Sequence, residues 1–259
     1  MPVALEKDRP KKIGRRNDPA GIRARLLDAA EALLAQRGFH GVTMREIAVE
    51  AEIKLGTLTY HFSSKDDLFR SVVLRRAPEY VRLTENALNA ALDAAGNAPP
   101  KSESIVRAYV EPAFHLSMHG GVGWKNYMQM LGSAMGNRQK DSFISPILEQ
   151  FDPLLKRIVA AFARVRPEAD AEMLHWGLFF IEAAFIHILV EAGVVDRHSD
   201  GLCRSDDLER ILEKVVPFFA AGFDRLTTSG AGCLPATRPA PGTTVTSAAQ
   251  NGRKWPKDA

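Results

Sequence analysis

Apolar residues recur at helical spacing near the start of the chain. Ile22, Leu26, Leu27, Ala30, Leu33 and Leu34 form one stripe, and Gly38 ends it. Thr43 is a good N-cap for a short second helix reaching about Ala51, and Glu46 three residues on completes a capping box. A third short helix is expected over Leu55 to Phe62. A long fourth helix should start after Ser63-Ser64 and run to about Ala95, with a bend at Pro78; the run Gly96 to Pro100 then breaks it. Further helical patterns cover about 102–118, 124–136, 141–164, 168–193 and 205–226, with His119-Gly120-Gly121-Val122-Gly123 as a loop. No stretch shows sustained strand-type alternation, so the fold class is all-α.

The second and third helices are too short to stand alone and need tertiary packing. Ile47, Ala48, Ala51, Ile53, Leu58 and Phe62 supply it, and the small Ala48 and Ala51 let helices approach closely. Lys54, Thr57, Thr59, Tyr60 and His61 are then left facing outward on the third helix. That set donates and accepts hydrogen bonds and can stack, as a helix entering a DNA major groove must. Gly56 would let the helix come close to a nucleic-acid backbone. Lys65 stands at the start of the fourth helix, where a cation is disfavoured by the helix dipole; a phosphate would reverse that, and extension into water is the plain alternative.

Residues 23–69 as a block carry a resemblance. The pattern Thr43, Arg45, Ile47, Ala48, Ala51, Ile53, Gly56-Thr57-Leu58, Tyr60-His61-Phe62, Lys65 and Leu68 resembles the TetR-family DNA-binding domain. The resemblance implies that Thr43 contacts phosphate and that Arg45 reaches a base edge or phosphate. It likewise implies that Thr57 and Thr59 face bases and backbone, that Tyr60 and His61 contact backbone or a thymine methyl, and that Lys65 clamps phosphate. The sequence departs from the family at Glu52, where Gly is usual, and at Thr59, where Tyr is frequent.

Charge adds to this picture. The chain of 259 residues carries a net charge of only +3, but residues 1–25 hold a balance of +5. Arg9, Lys11, Lys12, Arg15 and Arg16 could reach phosphates or a minor groove from a basic arm, although a solvated tail accounts for them equally well. The expected organisation is an arm over 1–19 and a three-helix helix-turn-helix domain over 20–66. A helical ligand-binding and dimerisation domain follows over 67–226, then a disordered tail over 227–259 rich in Thr, Ser, Gly, Pro and Ala.

In the second domain, Met173 to Val195 is long enough to suggest a membrane span, but His175, Glu182, His187 and Glu191 oppose it. A helix apolar nearly all round suits a subunit interface, with Leu208, Ile211, Leu212, Val215, Val216, Phe218 and Phe219 on its partner. Two helices from each subunit would build a four-helix bundle in a homodimer. Trp124, Tyr127, Met128, Met130 and Met135 form an aromatic and Met-rich stripe, read either as core or as a pocket wall. The block GWKNYMQMLGSAM with VVPFFAAGF resembles the ligand domain of PsrA-type TetR regulators, whose relatives respond to fatty acids or their CoA esters. The resemblance implies a hydrophobic effector of that kind. Arg107, His115, Trp124, Tyr127, Met130 and Phe180 are the candidate contacts.

No cofactor is expected. His115 and His119 are spaced to seat a metal, yet no third ligand is evident, and the sequence contains no phosphate loop, nucleophile elbow or dinucleotide fingerprint. A helical enzyme is the main competing reading, and it leaves the 43–65 pattern unexplained. Two cysteines, Cys203 and Cys233, make neither a disulfide scaffold nor a zinc site, and a cytoplasmic protein is expected. The expected function is a ligand-released, operator-binding repressor on palindromic double-stranded DNA, and not an enzyme.

Overall fold

The computed structural model describes residues 18–135, 145–190 and 193–228, with ten helices and no strand among them. The N-terminal unit contains α1 (Pro19–Arg37), α2 (Met44–Glu50) and α3 (Leu55–His61). The long α4 (Lys65–Ala95) links it to α5 (Ser102–His119), α6 (Gly121–Met135), α7 (Ser145–Val165), α8 (Ala171–Val190), the short α9 (Val194–His198) and α10 (Leu208–Thr228).

Local chemistry sets the boundaries. Asp18 caps α1 by accepting from the Ala20 and Gly21 amides, and Gly38 ends it at φ +67°. Thr43 and Glu46 form the expected capping box of α2. Ser64 caps α4 by accepting from the Asp67 amide at 3.1 Å. Pro78 lies on the exposed side of α4. The 119–123 run, expected as a loop, mostly starts α6 instead. Gly123 has a packing reason to be there: a Cβ would stand 2.2 Å from Nη2 of Arg76. The five-residue α9 had no counterpart in the periodicity.

A continuous core runs from Leu26, Leu58 and Phe62 in the N-terminal unit to Phe114, Tyr127, Phe162 and Phe223 in the C-terminal one. The division expected at residue 66 falls inside the first turn of α4, and Leu68 and Phe69 just beyond it are buried. Phe69 meets Phe39 edge to face at 5.3 Å, so the start of α4 packs with the head. The other link is α1 itself, which packs on α6. There Arg76 of α4 donates to both oxygens of the buried Glu31 of α1, at 2.7 and 3.0 Å, and stacks over Trp124 of α6. The basic arm, with Arg9, Lys11, Lys12, Arg15 and Arg16, lies outside the described residues, as do Glu191 and the tail from residue 229, Cys233 included.

Candidate DNA-contacting helix and effector cavity

The α2–α3 turn is built by backbone hydrogen bonds. The Ile53 amide donates to Ala48 O at 2.8 Å and the Glu52 amide to Val49 O at 2.9 Å. This Schellman arrangement requires a left-handed residue between them, and Glu52 takes it at φ +52°. The side chain departing from the family's usual Gly therefore sits in the conformation that favours Gly. Arg25 of α1 braces the turn, donating to Ala51 O and lying 3.7 Å from the Glu52 carboxylate.

Leu58 and Phe62 point inward from α3 and are buried. Turned the other way, Lys54, Gly56, Thr59 and Tyr60 are exposed, Tyr60 at 86%, while Thr57 and His61 are half-buried. The Thr59 hydroxyl donates back to its own helix, to Gly56 O at 3.1 Å or Leu55 O at 3.2 Å. Space beyond Gly56 is open: an added Cβ would meet nothing within 4 Å. Protein packing therefore gives no reason for a glycine there.

Thr43 and Arg45, at the start of α2, are both exposed. The Thr43 hydroxyl is engaged in the capping box, where it donates to Glu46 Oε2 at 2.7 Å and accepts from the Glu46 amide at 3.2 Å. The Thr43 hydroxyl and the Thr43 amide, which donates to the same Glu46 Oε2 at 2.8 Å, hold the Glu46 carboxyl below its ordinary range, with Arg37 nearby. Lys65 neither extends into water nor stands free for a phosphate. Its Nζ donates to Phe39 O at 2.7 Å and Val42 O at 2.9 Å, above the Phe39 ring. At least two of its three donors tie down the loop between α1 and α2, because that loop's carbonyls have no helical partners.

A cavity of about 70 Å³ opens between α4, α5, α6, α7 and α8. Its walls are mostly apolar and include Met128, Leu131, Gly132 and Met135 of α6, Leu154 of α7 and Leu189 of α8. Polar groups come from Glu182, Tyr80 and Tyr109. Burial pushes the Glu182 carboxyl up, partly offset by the Tyr109 hydroxyl that faces it. Both tyrosine hydroxyls are raised by burial and by that carboxylate.

None of the six ligand contacts expected from the sequence lines this cavity. Trp124, Tyr127 and Met130 are buried elsewhere, and the Tyr127 hydroxyl donates to Val73 O of α4 at 2.9 Å. His115 is exposed, its ring 4.9 Å from that of His119, which faces Glu209 at 3.6 Å. Arg107 is partly exposed near Glu103, and Phe180 stands 53% exposed on the outer face of α8. The neighbouring face of α6 supplies the wall, and Glu182 was noticed only as an obstacle to a membrane span. No group of three His, Cys, Asp or Glu among the described residues is arranged to hold a metal ion.

The geometry defines a class: a helix-turn-helix head on an all-helical domain with an internal cavity. Comparison with known proteins is consistent with it. Residues 26–72 match the family model "Bacterial regulatory proteins, tetR family", and residues 107–222 match "Tetracyclin repressor-like, C-terminal domain". The chain thus carries matches to both domain models of the TetR family of transcriptional regulators. It is 38% identical over 53 residues to the transcriptional regulator UidR of Escherichia coli K12, covering 20% of this chain and 27% of UidR. It is 32% identical over 103 residues to the transcriptional activator FasR of Mycolicibacterium smegmatis, covering 40% of this chain and 43% of FasR. These matches span less than half of either relative. The fold matches a crystal structure of FadR from Bacillus subtilis in complex with stearoyl-CoA, with TM-score 0.55 and 16% identity, over 77% of this chain and 98% of that one. A TetR-like regulator from Rhodococcus sp. RHA1 gives TM-score 0.53 and 21% identity, over 78% and 97%.

Proposed function

We propose that this chain is a cytoplasmic, homodimeric repressor that binds a palindromic operator through α3 and leaves it when a hydrophobic effector fills the cavity. One observation carries the DNA-binding half. Leu58 and Phe62 anchor α3 while Lys54, Thr57 and Tyr60 are presented outward around an unfilled Gly56. A helix held this way offers a major groove donors, acceptors and a ring to stack, with room for the sugar-phosphate chain. Arg45, Thr43 and His61 add phosphate or base contacts. Lys65 contributes by holding the α1–α2 loop, with at most one remaining donor for phosphate.

The sensing half rests on α6. Met128, Leu131, Gly132 and Met135 face the cavity, while Trp124 and Tyr127 pack toward α1 and α4. At about 70 Å³ the cavity is smaller than ordinary ligand sites of about 300–1,000 Å³. A ligand must therefore push its walls apart, and displacement of α6 reaches the head through α1. An effector that binds the displaced state better than the operator-bound one lowers operator affinity. The apolar wall suits an acyl chain. That agrees with the PsrA-type likeness of the sequence and with the stearoyl-CoA bound by the similarly folded FadR.

The test is selection of bound sequences from random duplex DNA by the purified protein, followed by the Tyr60→Ala variant. The wild type should enrich one palindrome. Tyr60→Ala should lose it while keeping the dimer, because Tyr60 packs on little of the protein. Absence of any enriched sequence, or loss of the dimer in the variant, counts against the reading.

A further inference from the structure

The polar end of the cavity is acidic, and this fixes the kind of ligand it accepts. Glu182 reaches the cavity from α8 with Tyr109 against its carboxylate and Tyr80 nearby. No Lys, Arg or His lines the cavity among the described residues. Four aromatic rings stand around the same space in two pairs: Tyr80 with Phe151 at 5.7 Å, and Tyr109 with Phe185 at 5.2 Å. A mostly buried carboxylate without a cation is costly, and a hydroxyl offsets only part of that cost. The carboxylate of a fatty acid placed there would add like-charge repulsion. A cation would supply the missing counter-charge and could rest on the ring faces.

We propose that the cavity takes a lipophilic cation, an apolar ligand whose protonated amine or quaternary nitrogen sits against Glu182. The proposal rests on the cavity being the effector site. The ligand's apolar body lies along Met128, Leu131 and Met135, and its positive end meets Glu182 beside the rings of Tyr109 and Phe185. The other titratable groups on the cavity walls are Tyr80 from α4 and Tyr109 from α5; the described wall residues of α6 and α7 supply none. Both tyrosines stay protonated at neutral pH, since burial raises them.

Three probes of one chain length separate charge from apolar fit: dodecyltrimethylammonium, dodecanol and dodecanoate, each below its aggregation limit. Calorimetric titration of the full-length wild type at pH 7 should show the cation binding at least tenfold more tightly than dodecanoate. Glu182→Gln should remove that preference, with circular dichroism and an unfolding transition like the wild type's showing that the variant is folded. Dodecanoate binding as tightly as the cation, or a preference that survives Glu182→Gln, overturns the proposal while leaving an apolar effector site in place. Failure of all three probes to bind overturns the effector-site reading, and this proposal with it.

Discussion

Glu52 holds a left-handed backbone position that costs an ordinary L-residue about 1–2 kcal/mol relative to glycine. Its ion pair with Arg25, at 3.7 Å and largely exposed on the Glu52 side, returns little of that. Glu52→Gly should therefore stabilise the protein by about 0.5–1 kcal/mol after the unfolded chain's added freedom is counted. Tm should rise by about 2 °C in calorimetry, and a fall would show that the Arg25 contact outweighs the backbone strain. Gly56 presents the opposite case. A methyl there meets empty space within the protein and improves helix propensity by up to about 1 kcal/mol. Gly56→Ala should leave Tm unchanged or higher yet weaken operator binding at least tenfold, because the methyl intrudes where the DNA backbone passes. Equal affinity in a gel-shift titration would mean that the glycine serves neither fold nor DNA. The sequence made the outward set of α3 legible because Leu58 and Phe62 are large, apolar and four apart. It did not reveal the engagement of Lys65, whose acceptors Phe39 O and Val42 O are backbone atoms more than twenty residues away.

Among the elements, α6 shows best where sequence reading stops. Trp124, Tyr127, Met128, Met130 and Met135 share one side of the helix, opposite the exposed Lys125 and Ser133; Trp124 lies under Arg76 and Tyr127 bonds to α4, while Met128 and Met135 reach the cavity. Periodicity locates the side turned away from solvent, but not which part of that side meets a ligand rather than a neighbouring helix. Its length and type could be read; which apolar face meets a ligand could not. Elsewhere the α2 capping box, the end of α1 at Gly38 and the start of α4 were legible because caps are local chemistry. The junction of α1, α4 and α6 depends on a long-range pair instead. Glu31 is 1% exposed, and Arg76 is its bidentate partner. Removing one partner of a buried pair leaves an uncompensated charge, at a cost of about 3 kcal/mol. Glu31→Ala should lower the unfolding free energy by that amount, read as a lower urea midpoint with the slope unchanged. Glu31→Ala with Arg76→Met should recover most of the loss, since neither charge then remains. A double variant no better than the single one would show that packing around the two side chains, not their charge, holds the junction.

At the scale of the whole molecule, the unfinished surface is the outer side of α8 and α10. Trp176, Phe179 and Phe180 stand about half exposed on α8, with Trp176 stacked on Phe180 at 5.7 Å, and Phe218 of α10 is 74% exposed. By length and composition α8 could cross a membrane. However, its inner face, with Leu174, Leu178, Ile181 and Phe185, is already buried against the rest of the domain, while Glu182 and His187 interrupt the apolar run. An apolar face of this size beside a buried one marks a protein interface. In the proposed homodimer a second copy of the same pair of helices would cover it with two-fold symmetry and give a four-helix bundle. The same two-fold axis would relate two α3 helices, which a palindrome requires at half-sites about 34–36 Å apart. Replacing Phe180 and Phe218 together by Glu places like charges in the centre of that bundle. The variant should sediment as a folded monomer at micromolar concentration, its core untouched because both side chains point away from it. Its operator affinity should then fall by at least a hundredfold, as each head binds a half-site alone. A variant that remains dimeric would move the interface to another face and with it the spacing of the two heads.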